Sequence, residues 1–201
     1  MNNIHFIIHL EDLKIILGKL AHETCTENPN LPFRDYGCIG FNGLYLDDST
    51  FRYDTTPINT HVFATTCGEG VHFSLLEITD KIQPIIMTVP CNSGNSIKDN
   101  NIIIAENLNE FLSLGFYNGW GYLEQVCYDK EWAISFHSKE DTDPDYQNSI
   151  DFIFTKKIRN TFGINHQPLL LERLKELEEK YFHLLEFEPE ILAYFATNNP
   201  I

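Results

Sequence analysis

The sequence has few basic side chains. Its 201 residues include 14 lysines and arginines against 29 aspartates and glutamates, which gives a formal net charge of −15. A negative field of this size repels nucleic-acid phosphates and anionic lipid surfaces, and it attracts basic molecules over a long range. A small basic group, Lys156, Lys157 and Arg159, supplies too few charges to follow a phosphate backbone. The composition therefore predicts no nucleic acid and no membrane among the partners, and it favours a basic protein.

Cysteine is scarce, and the cysteines form no recognisable motif. The five residues, Cys25, Cys38, Cys67, Cys91 and Cys127, are odd in number, widely spaced and never arranged as CxxC. This pattern is typical of reduced thiols and not of a disulfide framework or a zinc knuckle. We therefore expect a cytoplasmic location.

Long hydrophobic runs are also missing. The N-terminal stretch Met1–Leu10 is interrupted by His5 and His9, and it has neither a basic region nor a small-residue cleavage site, so it fits neither a signal peptide nor a membrane span. Hydrophobic residues still make up 43% of the chain, which predicts a soluble globular protein. We interpret residues 1–201 as one domain, in which the C-terminal helices at 165–201 are either integral or a separate lobe.

Hydrophobic periodicity predicts a mixture of helices and short strands. The segment Leu10–Leu20 has its leucines and isoleucines on one helical face, and residues 106–114 and 121–128 show shorter helical patterns. Short apolar runs separated by glycine, proline and aspartate indicate strands. The predicted strands are Leu44–Leu46, Phe51–Tyr53, His61–Thr66, Val71–Ile78, Ile85–Val89 and Ile102–Ile104.

The last quarter of the chain has the clearest helical pattern. Pro168 suits the first position of a helix, and an apolar stripe follows it. Pro189 then begins a final short helix, Glu190–Phe195, whereas the acidic residues 139–148 are expected to form an exposed loop. The stripe consists of Leu170, Leu174, Leu177, Tyr181 and Leu184.

The sequence lacks motifs for phosphate or metal binding. Gly68 and Gly70 lie between two predicted strands without the Gly-Lys-Ser/Thr ending of a phosphate loop, so they favour a hairpin. The eight histidines form no HxH or HExxH pattern, and His5 and His9 supply only two of the ligands that zinc requires. We therefore predict no metal site and no cofactor.

One cluster has residue types that could form a nucleophile with its base. Cys67, Glu69 and His72 place a thiol, a carboxylate and an imidazole within six residues. Alternation along a strand puts His72 on the same face as Ser74 and Leu76, whereas Cys67 precedes the turn. We favour a hairpin cysteine and a half-buried structural histidine. The alternative is a small hydrolase that uses Cys67 and His72.

Four aromatic residues lie close together at Phe116, Tyr117, Trp120 and Tyr122. Tryptophan and tyrosine give large contact areas and are enriched at binding hot spots. The competing interpretation is that these side chains fill the core, which we favour for Phe116 and Tyr122. Trp120 follows an Asn-Gly turn and fits either interpretation equally well.

The middle of the chain resembles a known family. The run from Thr56 to Ser74, TPINTHVFATTCGEGVHFS, is similar to the "TPxN…FAxTGGDGVHF" segment of the SUKH superfamily, the SMI/KNR-like proteins. Three later blocks, PIIMTVPCN, NIIIAENLNEFLSL and GYLEQVCY, resemble in the same order the family's "PIVMTVP", "NLIVGENLxDFLxLG" and "GYFxLEQLxY" blocks. The resemblance covers residues 56–128 and departs from the family pattern at Cys67, where a glycine is usual, and at Glu69, where an aspartate is usual.

The resemblance implies both a fold and a function. The expected fold is α+β, with a curved, mostly antiparallel sheet backed by helices and a helical C-terminus. Characterised bacterial members of the family are largely immunity proteins that bind and neutralise toxins, often nucleases, whereas eukaryotic relatives act as interaction scaffolds. The acidic charge of this chain suits a basic toxin, because opposite charges steer association.

These observations predict a non-enzymatic binding module of the immunity type that forms a stoichiometric complex with a protein toxin. The alternatives are a regulatory scaffold and the Cys67/His72 hydrolase. The residues predicted to contact the partner are Glu69, His72, Trp120 and Tyr122.

Overall fold

A computed structural model describes residues 8–30, 39–46, 52–79, 82–92 and 94–198. The strands lie between residues 39 and 105, and most of the helices follow them. The strands are β1 (Ile39–Phe41), β2 (Leu44–Leu46), β3 (His61–Thr65), β4 (His72–Leu75), β5 (Ile85–Thr88) and β6 (Asn101–Ala105). The α-helices are α1 (Leu10–Glu27), α2 (Ile97–Asn100), α3 (Leu108–Leu114), α4 (Lys130–His137), α5 (Pro144–Gln147), α6 (Ile150–Phe162), α7 (Leu171–Tyr181) and α8 (Pro189–Asn198), with 3₁₀ helices at Gly121–Cys127 and Phe182–Leu184.

The six strands form one sheet in which each strand is antiparallel to the next along the chain. This order confirms the α+β class with an antiparallel sheet and a helical C-terminus. The predicted strand Phe51–Tyr53 is not found, because Arg52 and Tyr53 belong to no strand and Phe51 lies outside the described residues. The strand β1 was not predicted at all.

The main hydrophobic core lies on one face of the sheet. Phe63, Phe73 and Met87 project from three neighbouring strands and are fully buried against Phe111 of α3. The helix α1 covers the same core with Leu13, Leu17 and Leu20 of the predicted apolar face, and it continues beyond the predicted end to Glu27.

The helix α7 closes the opposite face of the sheet. Ile86 of β5 and Ile103 of β6 pack there against Leu177 and Tyr181. The predicted stripe is therefore confirmed at Leu174, Leu177 and Tyr181, which are buried. It is wrong at Leu170 and Leu184, which are exposed because α7 begins at Leu171 and ends at Tyr181.

Ion pairs hold α7 beside the end of β6. Arg173 donates from Nε to Glu110 Oε1 at 2.8 Å and from Nη2 to Glu110 Oε2 at 3.0 Å. Glu106 accepts from Lys180 Nζ at 2.6 Å and from the Tyr181 hydroxyl. Burial raises the pKa of Glu106, but the hydrogen bonds from Lys180 and Tyr181 outweigh it, so this pKa lies below its usual value.

The turn between β1 and β2 fastens the sheet to the C-terminal helices. Asn42 and Gly43 both have positive φ angles, 55° and 78°, as a two-residue hairpin requires. A side chain at Gly43 would place its Cβ only 2.1 Å from the Gly121 backbone nitrogen. The Asn42 backbone amide donates to Asp151 Oδ1 at 2.7 Å, and the Asn42 carbonyl accepts from the Trp120 backbone amide at 2.8 Å.

Candidate protein-interaction surface

The β3–β4 hairpin exposes Cys67 and Glu69 at its tip. Both have positive φ angles, 58° and 47°, and Gly70 follows at 75°. Cys67 therefore adopts a left-handed conformation that normally suits glycine. Glycine suits position 70, since φ is positive there and an added Cβ would lie 2.2 Å from the Tyr53 hydroxyl.

His72 lies inside the protein, with 5% of its surface exposed. Its Nδ1 donates to the Gly70 carbonyl at 2.8 Å, and its Nε2 accepts from the Thr56 hydroxyl at 3.1 Å. The ring also stacks on Tyr53, with centroids 5.8 Å apart. The Nε2 bond joins the segment before β3 to β4, and the Nδ1 bond holds the turn that leads into β4. The side chain therefore offers almost no surface to a partner in this conformation.

Trp120 and Tyr122 have opposite environments although they are two residues apart. Trp120 is fully buried, and its Nε1 donates to the Phe111 carbonyl at 3.1 Å. Phe116 is buried beside it, as expected, with its ring edge toward the indole. Tyr122 was expected in the core but is 54% exposed. Of the predicted contact residues, Glu69 and Tyr122 are accessible, whereas His72 and Trp120 are enclosed.

An exposed aromatic patch is formed by Tyr122, Trp132 and Phe136. The Trp132 and Phe136 rings stack with centroids 4.8 Å apart and planes 11° apart, and Tyr122 meets Phe136 edge-on at 5.2 Å. Trp132 is 45% exposed. Such a cluster on the surface is a typical anchor for a protein partner.

Trp132 and Phe136 were missed in the sequence analysis, although a local signal was present. They lie one helical turn apart on α4, so they share a face. Asp129 begins that helix by accepting from the Trp132 backbone amide at 2.9 Å, which is the pattern of an N-cap. An aspartate three residues before an i, i+4 aromatic pair therefore indicated a short helix with an aromatic face.

An acidic edge, formed by Glu69 and Glu124, lies near Tyr128. Burial raises the pKa of Glu124, and the negative charge of Glu69 raises it further. Burial and the charge of Glu124 likewise raise the pKa of Tyr128, which is 50% exposed. Mutual repulsion of carboxylates is relieved when a positive charge binds, so this edge suits a basic group.

An open depression of about 400 Å³ adjoins the aromatic patch at the end of α4. It lies between the stacked aromatic rings and the first residues of the loop that leads to α5. Its lining includes Asn118, Trp132, Phe136, Lys139, Glu140 and Asp141.

No group of three histidine, cysteine, aspartate or glutamate side chains in the described residues is placed to hold a metal ion. Cys25, Cys91 and Cys127 carry free thiols, Cys38 lies outside the described residues, and burial raises the pKa of Cys127 to about 12. None of the helices in the described ranges is long and apolar enough to cross a membrane.

Comparison of the chain with protein-family models, with curated proteins and with solved structures finds no match. The exposed aromatic patch and the acidic edge are therefore the features of this chain that bear on its function.

Proposed function

We propose that this chain is a non-enzymatic, cytoplasmic binding module of the immunity type, which neutralises a basic protein toxin by forming a stoichiometric complex. The aromatic patch and the acidic edge form the contact surface, and no cofactor takes part. The observation that carries the proposal is the exposed Tyr122–Phe136–Trp132 cluster on a chain of net charge −15.

The surface combines the two properties that such a complex needs. Exposed tyrosine and tryptophan supply contact area at a small entropic cost, and they are enriched among residues that dominate binding energy. The surrounding carboxylates raise the rate of encounter with a basic partner and disfavour acidic competitors. The resemblance to immunity proteins of the SUKH superfamily, carried by residues 56–128, agrees with this assignment.

The arrangement around Cys67 supports a binding role over hydrolysis. A base for this thiol would need an available imidazole nitrogen, and the two nitrogens of His72 are bound to Gly70 and Thr56. The exposed thiol at the hairpin tip is then one more surface residue beside Glu69.

The test is capture of the partner from native lysate by the tagged full-length chain. We expect one basic protein to bind at low salt and to be lost at high salt, to inhibit growth when expressed alone, and to be neutralised at a one-to-one ratio. The double variant Tyr122→Ala with Trp132→Ala should lose capture.

The matched control is Leu192→Ala with Tyr194→Ala, which removes two side chains of similar exposure from α8. Equal loss of capture in both double variants would contradict the assigned surface. A captured partner with no effect on growth would instead favour a regulatory scaffold, and retained capture by the first double variant would remove the role of the aromatic patch.

A further inference from the structure

The depression beside α4 contains a buried hydrogen-bond acceptor without a donor. Asn118 is 5% exposed, and its Nδ2 donates to the Phe136 carbonyl at 2.6 Å and to the Lys139 carbonyl at 2.9 Å. These two bonds fix the orientation of the amide group, so Oδ1 faces the other way. Within the described part of the chain, Oδ1 has no hydrogen-bond partner. Buried carbonyl oxygens are nearly always paired, so a ligand N–H group that reached this oxygen as the lining adjusted would be bound favourably.

The aromatic wall of the depression suits a flat cation. Trp132 and Phe136 stack almost in parallel, and Trp132 keeps 45% of its surface exposed. A planar guanidinium stacks on such a face and gains from the negative potential of the ring.

Carboxylates on the rim supply the opposite charge. Glu140 and Asp141 both line the depression. Asp141 Oδ1 accepts from the Asp143 backbone amide at 2.8 Å, which holds this carboxylate in place. Lys139 is the cation in the lining, but its side chain is exposed and is able to turn toward solvent.

We propose that the depression binds the guanidinium group of an arginine side chain on the protein partner. This inference rests on the proposed function and names the chemistry of one anchor within it. An arginine presents five N–H donors in a planar fork, enough to meet Asn118 Oδ1 and a rim carboxylate while it stacks on Trp132. A lysine ammonium is a point charge with three donors and cannot stack in this way.

The experiment uses the ¹⁵N-labelled full-length chain and a short peptide, acetyl-Gly-Arg-Gly-amide. The indole N–H signal of Trp132 reports on the depression, and that of Trp120, which is fully buried, is the internal reference. We expect the arginine peptide to shift the Trp132 signal saturably and to leave the Trp120 signal in place.

Two further peptides test the chemistry. The lysine peptide should bind about two- to fivefold more weakly than the arginine peptide, because it lacks the stacked guanidinium. The citrulline peptide has the same shape as the arginine peptide but no charge, so it should produce no saturable shift.

Two variants with the same change of charge test the position. Asp141→Asn keeps an oxygen that can accept from the Asp143 amide. It should weaken binding of the arginine peptide about two- to fivefold, because the negative charge is lost. Glu172→Gln lies on the exposed face of α7, away from the depression, and should leave the titration unchanged.

Three results would overturn the inference: equal shifts with arginine and citrulline, a Trp132 signal that stays unchanged, or equal weakening by the two variants. Failure here is distinguishable from failure of the proposed function. A basic toxin captured through the aromatic patch, together with an unchanged Trp132 signal, would overturn only the arginine site.

Discussion

The hairpin region around His72 and the α4 region around His137 use the same residue types in opposite ways. Both imidazoles are buried, but His72 has hydrogen bonds on both nitrogens, whereas neither nitrogen of His137 has a well-formed one among the described residues. Trp120, which packs beside Phe111, is buried, and Trp132 of α4 is half-exposed. The hairpin region uses its histidine to join parts of the fold, while the α4 region keeps an unsatisfied histidine and exposed aromatic faces. Partners in space, and not residue type, therefore decide which histidine is satisfied and which tryptophan is buried.

The sharpest test of this comparison is truncation of the two tryptophans. Trp120→Ala should reduce the free energy of unfolding by about 3–5 kcal/mol, because a large cavity remains in the core. Trp132→Ala should reduce it by about 1 kcal/mol or less, because this side chain is already half-exposed and leaves no closed cavity. Urea denaturation of both variants measures the difference, and similar losses would contradict the contrast between the two regions.

The pH dependence of stability should reveal the unsatisfied imidazole of His137. Burial lowers its pKa from 6.5 to about 4, against the smaller opposing effect of nearby carbonyl groups. The unfolded chain therefore binds a proton below pH 6.5 that the folded chain accepts only near pH 4. Stability should be intact above pH 6.5 and should fall by about 3 kcal/mol as the pH drops through this window.

The variant His137→Leu separates this residue from the other acid-sensitive groups. It should flatten the profile between pH 6.5 and 4, apart from the part that is due to His166, whose pKa burial also lowers. Urea denaturation at several pH values is the measurement. A variant with the same slope as the original chain would show that His137 is not responsible.

Removing one hydrogen-bond partner should leave His72 partly unpaired, like His137. Thr56→Val keeps the shape of the side chain but removes the hydroxyl that donates to His72 Nε2 and accepts from the Tyr53 backbone amide. We expect a loss of about 1–3 kcal/mol in the free energy of unfolding, because buried polar groups are left unpaired. Thr26→Val, at an exposed helical position, is the matched control and should change stability by about 0.5 kcal/mol or less.

The smallest expected effect concerns the acidic edge. Because the pKa of Glu124 is raised, its ionised form is destabilising in the folded state, and this cost disappears as the pH falls through the raised pKa. Glu124→Gln should therefore raise the melting temperature slightly at pH 7, and the difference should vanish in acid. Glu131→Gln, at an exposed position on α4, should have no such effect, and a lower melting temperature for Glu124→Gln would contradict the assignment.

Much of the sheet could be predicted because its signals are local. Turn residues and alternating apolar runs gave four of the strands in the right order, at residues 44–46, 61–65, 72–75 and 85–88, and the short run near Ile103 gave a further strand. The helix α6 was missed, although Ser149 caps its start and Gly163, with a φ of 63°, ends it. Its buried residues Ile150, Phe154 and Ile158 repeat every four positions, so the spacing and the two caps together were a local signal of a helix.

The candidate site was only partly predictable, for a different reason. Glu69 was expected at the surface because a hairpin tip is exposed in any fold, and the structure agrees. The burial of His72 depends on Thr56, and that of Trp120 on Phe111 and on the Asn42 turn. The Thr56–His72 and Phe111–Trp120 hydrogen bonds join residues 16 and 9 positions apart, and Asn42 is much farther from Trp120 along the chain. No local pattern could therefore show that His72 and Trp120 face inward.

The β1–β2 turn also has a consequence for how the chain folds. Asn42 Nδ2 donates to the Tyr146 hydroxyl and to Thr155 Oγ1, which lie 104 and 113 positions later in the chain. Contacts between such distant positions close large loops and slow folding. During synthesis, this turn therefore lacks its partners until α6 has emerged from the ribosome, so the β1–β2 hairpin is completed only after α6 has been made.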